Sequence, residues 1–493
     1  MYLLGYDIGS SSIKAALVEA GSGNTVGIAQ YPEREMEIIS EEVGWAEQRP
    51  ELWWEHLGSA TKKLLSKTSV DPKEIKGIGI SYQMHGLVLL DKNGEVIRPA
   101  IIWCDSRATT YGDQAFSAIG EKKCLDHLLN APGNFTAAKL KWVKENEPER
   151  YDQIDKIMLP GDYIAFKMTG EVRTTVSGLS EGMFWDFQED GLAHFLMDHF
   201  AFDEELVPEV VDTFSNQGVL HQEAAGFLNL PVGTPVGYRA GDQPNNALSL
   251  NVINPGEVAA TGGTSGVVYG VVDQPLMDEQ MRINSFAHVN HTKEDPRIGV
   301  LLCVNGAGIQ YSWMKQMLSE DGTGYDELER LAASVPVNSD GLRVIPFGNG
   351  AERILQNRNL GAHVMNLQFN RHGKAHLYRA ALEGIAFSFI YGIEMMKEMG
   401  VKLDRMKVGN DNLFQSEVFS STICGVLGCE IEMMNTTGAV GAAKAAGVGV
   451  GIYPSIADAF QTMHPIKTYH YPGSQSESVE GYQKWKTDLT SII

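Results

Sequence analysis

The sequence predicts an α/β protein built as two similar halves around a cleft, and three observations carry that reading. Strand-like and helix-like apolar patterns mix through the first half. A strand, a small-residue turn and a second strand open the chain, and the same succession returns after Gly241. No long linker or low-complexity segment separates the two halves, so they are expected to pack closely. With 493 residues, 43% hydrophobic and 21% charged, the chain has the balance of a soluble globular protein with more than one core.

The elements follow in order. YLLGYDI and IKAALVEA flank the turn GSSS and read as a hairpin. RPELWWEHLGSATKKLLSK places Trp53, Trp54, Leu57, Ala60, Leu64 and Leu65 at helical spacing, with Pro50 near the start, where a missing amide costs nothing. IKGIGISYQ and GLVLLDKNGEVIRPAIIW read as further strands, with Lys92-Asn93-Gly94 as a turn. After the GDQPNNALSLNV segment come EVAATGG, the turn Thr264-Ser265-Gly266, and VVYGVV, a second hairpin. The boundary between halves falls near Asn245–Asn254. RAALEGIAFSFIYGIEMM is apolar almost all round, the mark of a buried helix.

Composition excludes several classes. A formal charge of -22 argues against nucleic acid, whose phosphates attract basic surfaces. The scattered Cys104, Cys124, Cys303, Cys424 and Cys429 give neither a zinc pattern nor a disulfide framework, so a reducing compartment is expected. The N-terminus has no secretory-type segment, and the run from Ala439 to Gly451 is too short and interrupted for a membrane helix. The expectation is a cytoplasmic enzyme.

The chemistry concentrates in a few segments. In Asp7-Ile8-Gly9-Ser10-Ser11-Ser12-Ile13-Lys14, glycine and serine can bring amides and hydroxyls to a phosphate, and an acid at a strand end can hold magnesium. The turn Gly262 to Gly266 has the same composition. Either alone is equally well a hairpin turn; the pair, facing each other, could clamp a nucleotide's phosphates from both sides. No Walker-type G-x-x-x-x-G-K-[ST] pattern occurs. Asp242 reads either as a helix cap, with Pro244 in the first turn, or as a general base; the two roles are compatible. His85 sits in an apolar run where a core histidine is the ordinary reading, and Asp105 with Arg107 could form a surface pair.

Ten segments in order resemble the FGGY family of carbohydrate kinases, and within it the branch acting on D-xylulose. They are DIGSSSIK, GWAEQRPELWW, YQMHG, WCDSR, GNFTAAKLKWV, LPGDYIAFKMTGE, AGDQ, GGTSGV, NGAGIQYSW and GAVGAAKAA. The resemblance implies two ribonuclease H-like domains of the actin type, residues 1–245 and 246–493, closing over a central cleft. It implies ATP and Mg2+, with Asp242 as the base toward a sugar hydroxyl and Asp7 with Asp242 on the metal side. Met84, His85, Trp103, Asp105, Arg107 and Gln243 become the sugar contacts. Gly9, Ser10, Ser11, Lys14, Gly263, Thr264, Ser265, Gly306, Gln310, Gly409, Asn410 and Asn412 become the nucleotide contacts. The implied partners are a small sugar and MgATP, without nucleic acid or membrane, and a homodimer is an open alternative to a monomer. The rivals are a family member acting on ribulose, a polyol or an aldonate, an actin- or chaperone-like ATPase, and a silent sugar-binding regulator. This chain departs from the family at Gln243-Pro244, at Thr174-Thr175-Val176-Ser177, which lacks an acid, at Ala351-Glu352-Arg353, and at the segment from Gly409 to Ser416.

Overall fold

A computed structural model describes residues 1–471, 473 and 476–493. The first hairpin pairs β1 (Tyr2–Ile8) with β2 (Ile13–Glu19) in a register that sets Asp7 opposite Lys14. β3 (Thr25–Tyr31) completes an antiparallel meander, and β4 (Ile75–Tyr82) and β5 (Val236–Gly241) add in parallel on the other side of β1. The sheet order is β5–β4–β1–β2–β3.

The second half repeats this plan. β6 (Val258–Gly262) and β7 (Gly266–Val272) form the second hairpin, with Gly262 opposite Gly266. β8 (Asn284–Ala287), β9 (Ile298–Val304), β10 (Arg405–Gly409), β11 (Glu430–Met434) and β12 (Lys467–Tyr469) extend it in the order β8–β9–β7–β6–β10–β11–β12. Once more a meander (β6, β7, β9) is followed by parallel strands (β10, β11). The duplicated α/β plan expected from the two hairpins is therefore present, in keeping with the two-domain fold that the family resemblance implies.

Local chemistry explains the helices that frame the site. α1 (Pro50–Thr68) buries Trp53, Leu57, Ala60 and Leu64, while Trp54 and Leu65 are half-buried at the edge of its apolar stripe. α2 (Val176–Glu181) is capped by Thr175 Oγ1, which accepts the Gly178 amide at 3.1 Å. α3 (Asp242–Ser249) starts directly from β5, and α4 (Gly308–Leu318) follows the loop after β9. The apolar segment near Ile385 is the long helix α5 (Lys374–Glu398), buried from Tyr378 through Ile390. The region read as long strands between Gly86 and Trp103 instead forms short pieces outside the main sheet: Val88–Leu90 pairs with Lys156–Met158, and Ala100–Ile101 with Glu47–Gln48.

α6 (Gly438–Gly449) comes late in the chain yet packs across the first sheet. A Cβ on Gly5 would lie 1.9 Å from the Ala439 carbonyl oxygen, and one on Gly79 1.9 Å from that of Ala442. Helix and strands touch backbone to backbone, which only glycine and alanine surfaces permit. A shared apolar core also joins Met84 and Phe135 of the first half to Tyr269, Phe286 and Leu301 of the second.

Candidate active site

Two carboxylates meet at the ends of parallel strands, where α/β folds present ligand groups. Asp7 closes β1 and accepts a hydrogen bond from Ser81 Oγ of β4 at 3.3 Å. Asp242 opens α3 immediately beyond β5. Burial and the Asp7 charge push the Asp242 carboxyl up to about 7, against hydrogen bonds from the Gln243 amide and side chain. Asp7 is also raised by burial, with Lys14 and Ser81 opposing the shift. Among the described residues neither carboxylate forms an ion pair. Two buried acids, one of them raised by the charge of the other, leave room for a cation, and the donor set fits Mg2+, which uses one or two carboxylates with phosphate and water oxygens. Among the described residues no group of three or more His, Cys, Asp or Glu could hold a metal without such a ligand.

Met84 and His85 lie in the turn just beyond β4. Met84 packs on the backbone of Gly241, where a Cβ would come 2.6 Å from Met84 Cγ and 2.6 Å from Glu181 Oε2. His85 is held with φ 61°, an uncommon left-handed conformation for a side-chain-bearing residue. Its Nδ1 lies 3.0 Å from the Glu181 carbonyl oxygen, so Nδ1 carries the hydrogen and Nε2 is left as an acceptor. Burial, then the nearby Lys139 charge, depress the imidazolium to about 3, keeping the ring neutral. Phe135 meets the ring edge-on at 4.8 Å, and Phe286 of β8 tilts against it at 5.5 Å. One side of this wall therefore comes from the second half.

Trp103 is 54% exposed, and its indole N–H donates to Ser10 Oγ at 3.2 Å, tying it to the first small-residue turn. Asp105 and Arg107 are placed differently from expectation. Asp105 is fully buried and accepts from the Ala46 amide at 2.6 Å, the Arg107 amide at 2.9 Å and Arg107 Nη2 at 2.7 Å. Arg107 lies over the Trp45 ring at 3.9 Å and also pairs with Glu47 at 2.6 Å. With their polar atoms turned inward, both anchor the loop carrying Trp103 rather than meeting a sugar, and they are not the surface pair either.

Two supporting residues escaped the sequence reading. Lys139 donates to the His85 carbonyl at 2.8 Å and the Ile102 carbonyl at 3.0 Å, its ammonium pKa lowered by burial to about 8. Gln48 donates to the Ser10 carbonyl at 2.7 Å and accepts from Trp53 Nε1 at 3.0 Å. Both stood inside recognised segments, but nothing in their spacing marks a side chain that satisfies a distant carbonyl.

On the other side, a cavity of about 480 Å3 opens among Gly263 and Thr264, Ile309 and Ser312 of α4, Tyr325 and Asn412. The Gly308 and Ile309 amides donate to the Gly263 and Thr264 carbonyls, locking the turn onto the start of α4. Gly306, Gln310, Gly409 and Asn410 do not line the cavity. The Gly306 amide is committed to Glu352 Oε1 at 2.8 Å, Gln310 is buried, and Asn410 donates its amide to the Met434 carbonyl and accepts from Gln415 Nε2. Ser265 closes the turn without lining the space. On the first hairpin the Gly9 amide bonds the Ser12 carbonyl at 3.1 Å, and Ser10 and Ser11 reach solvent. The Lys14 charge is felt by Asp411 of the second half as well as by Asp7, so the first hairpin faces the 409–412 segment.

A strand-end carboxylate pair thus lies near a small-residue turn and a rigid histidine wall, on a duplicated fold. The FGGY family of carbohydrate kinases matches through its N-terminal domain at residues 2–249 and its C-terminal domain at 258–450, and the chain belongs to that family. It is 28% identical to a xylulose kinase of Bacillus subtilis, over 99% of this chain and 95% of that protein. Its fold is similar to the crystal structure of a xylulose kinase from Rhodospirillum rubrum, with a TM-score of 0.87 at 24% identity over 100% and 98% of the two chains. It is equally similar to a Plasmodium falciparum glycerol kinase with ADP, with a TM-score of 0.89 at 19% identity over 100% and 98%. Among the described residues no helix is long and apolar enough to cross a membrane.

Proposed function

We propose that this carbohydrate kinase transfers the terminal phosphoryl group of ATP to a ketopentose, with D-xylulose as acceptor and D-xylulose 5-phosphate as product. The observation that carries it is Asp242 at the head of α3, beside Asp7 and within the wall made by Met84 and His85. A carboxyl with a pKa near 7 is suited to take a proton at neutral pH. Gln243 donates to this carboxylate and fixes its direction. His85 Nε2 is free to accept from a sugar hydroxyl.

In this reading Asp242 takes the proton of the terminal hydroxyl as its oxygen bonds to phosphorus, and the bond to ADP breaks. Asp7 and Asp242 would hold Mg2+, which neutralises phosphate charge when bound. The turns at Ser10–Ser11 and Gly263–Thr264 supply fixed amide and hydroxyl donors. Residues 1–245 carry the sugar side and 246–493 the nucleotide side, with α6 and Phe286 crossing between them. The relatives' names, with the neutral His85 wall, favour xylulose over a polyol or an aldonate; a cytoplasmic location follows from that role.

The test is ADP release with MgATP across D-xylulose, L-xylulose, D-ribulose, glycerol and gluconate. D-Xylulose should give the highest kcat/KM, and a clear preference for glycerol or gluconate would replace this reading.

A further inference from the structure

Arginines withdrawn from water in this fold come with carboxylates. Arg98 pairs with Glu47 and Glu147, Arg107 with Asp105 and Glu47, Arg239 with Asp162, and Arg379 with Glu383. Buried lysines find other partners: Lys139 takes two carbonyls, and the Lys444 ammonium lies 5.4 Å over the Phe460 ring. Arg353 breaks the pattern. Among the described residues it has no ion pair, and its one hydrogen bond runs from Nη1 to Asn284 Oδ1. None of its nitrogens is sealed from solvent without a hydrogen bond, unlike all three of Arg239. Its free N–H groups therefore open on space a ligand could fill. Arg353 is half-buried, and even partial desolvation of a guanidinium without an anion carries a cost.

Its position says which anion is missing. Glu352 accepts the Asn305 amide at 3.0 Å and the Gly306 amide at 2.8 Å, fixing the Arg353 backbone to the loop after β9. On β9, Cys303 pairs with Val267, next to Gly266 of the second small-residue turn. The Cys303 thiol feels the charges of both Arg353 and Asp242, and His85 feels that of Arg353. The guanidinium thus stands where the nucleotide turn, Asp242 and the sugar wall converge.

We propose that Arg353 binds the phosphoryl group in flight and the phosphate of the product; this rests on the kinase reading above. As the sugar oxygen bonds to phosphorus, its proton passes to Asp242 and the bridging bond's electron pair leaves with ADP. Negative charge stays on the equatorial phosphoryl oxygens, and a planar guanidinium meets two of them at once. A phosphomonoester completes the charge balance that the protein alone leaves open.

The experiment compares wild type with Arg353→Met and Arg353→Lys. Arg353→Met should lower kcat about a hundredfold or more, with the sugar KM little changed. By calorimetry it should lose about tenfold or more in affinity for D-xylulose 5-phosphate, and for inorganic phosphate in the presence of MgADP, while D-xylulose binds as before. Arg353→Lys should fall between, because an ammonium cannot make the paired contact. Wild-type kcat in a folded Met variant, or equal losses for sugar and sugar phosphate, would overturn the proposal. If the Met variant does not fold, Arg353→Lys decides it, and unchanged phosphate affinity there has the same consequence. Wild-type turnover on the sugar panel tests the acceptor separately, since the inorganic phosphate arm does not depend on which sugar is used.

Discussion

The two sides of the cleft are built on different principles. On the side we propose for the sugar, His85 is fixed by its Nδ1 bond to Glu181, by Lys139 on its carbonyl, by two phenyl rings and by a backbone conformation few residues adopt. The cavity we propose for the nucleotide is lined by turn backbone and by half-exposed groups such as Tyr325, which stacks on Tyr311 at 5.9 Å. Distinguishing one small polyol from another takes side chains that cannot move, because each contributes only about 1 kcal/mol per hydrogen bond. A triphosphate carries enough charge to be held by amides, whose supply does not depend on side-chain identity. The strain stored at His85, of order 1–3 kcal/mol, falls on the side that must discriminate.

Mutations can break this contrast. The largest effect should come where the two sides meet: Asp242→Asn keeps shape and removes the base, so kcat should fall about a hundredfold or more. Near-normal turnover in the folded variant would remove Asp242 from the chemistry. On the rigid side, His85→Ala should raise the sugar KM about tenfold and leave the ATP KM nearly unchanged. Equal changes in both would make His85 a packing residue. On the backbone-lined side, Thr264→Val removes one hydroxyl and should raise the ATP KM only about threefold, with the sugar KM untouched. A loss as large as that at His85 would erase the contrast.

The same division governs what was legible in the sequence. Both hairpins, α1 and the buried α5 were readable because period-2 and period-3.6 patterns report local burial. The two carboxylates drew attention because each stands at a strand end near glycine, Asp7 two residues before Gly9 and Asp242 directly after Gly241. Asp105 and Arg107 were misplaced because a polar pair at a strand end looks alike whether it faces a ligand or Trp45 and Trp142. Gly306, Gln310, Gly409 and Asn410 were assigned as nucleotide contacts and lie outside the cavity lining, where Gly306 and Asn410 hold neighbouring segments together. Lys139, Gln48 and Phe286 act across distances in sequence that no spacing rule reaches. The crossing of α6 onto the first sheet leaves only a run of small residues, which fits several kinds of close packing.

The smallest expected effect is in stability, and it isolates the carboxylate pair from catalysis. Burial and the Asp7 charge raise Asp242 from its ordinary value of 3.8 to about 7. The folded state therefore holds this proton more tightly than the unfolded chain does. The associated stability is full below about pH 4 and is lost progressively as pH rises to about 7, beyond which no more is lost. Asp242→Asn cannot ionise and escapes the loss. In EDTA, without nucleotide, its Tm advantage over wild type should widen by about 2–4 °C between pH 5 and pH 8. Magnesium with ADP should narrow the gap at pH 8, since a cation near Asp7 and Asp242 relieves the same repulsion in the wild type. Thermal unfolding at the two pH values, with and without magnesium and ADP, measures both. A constant Tm difference across pH would mean that the carboxylates are screened from each other, and the case for a cation between them would lose its electrostatic basis.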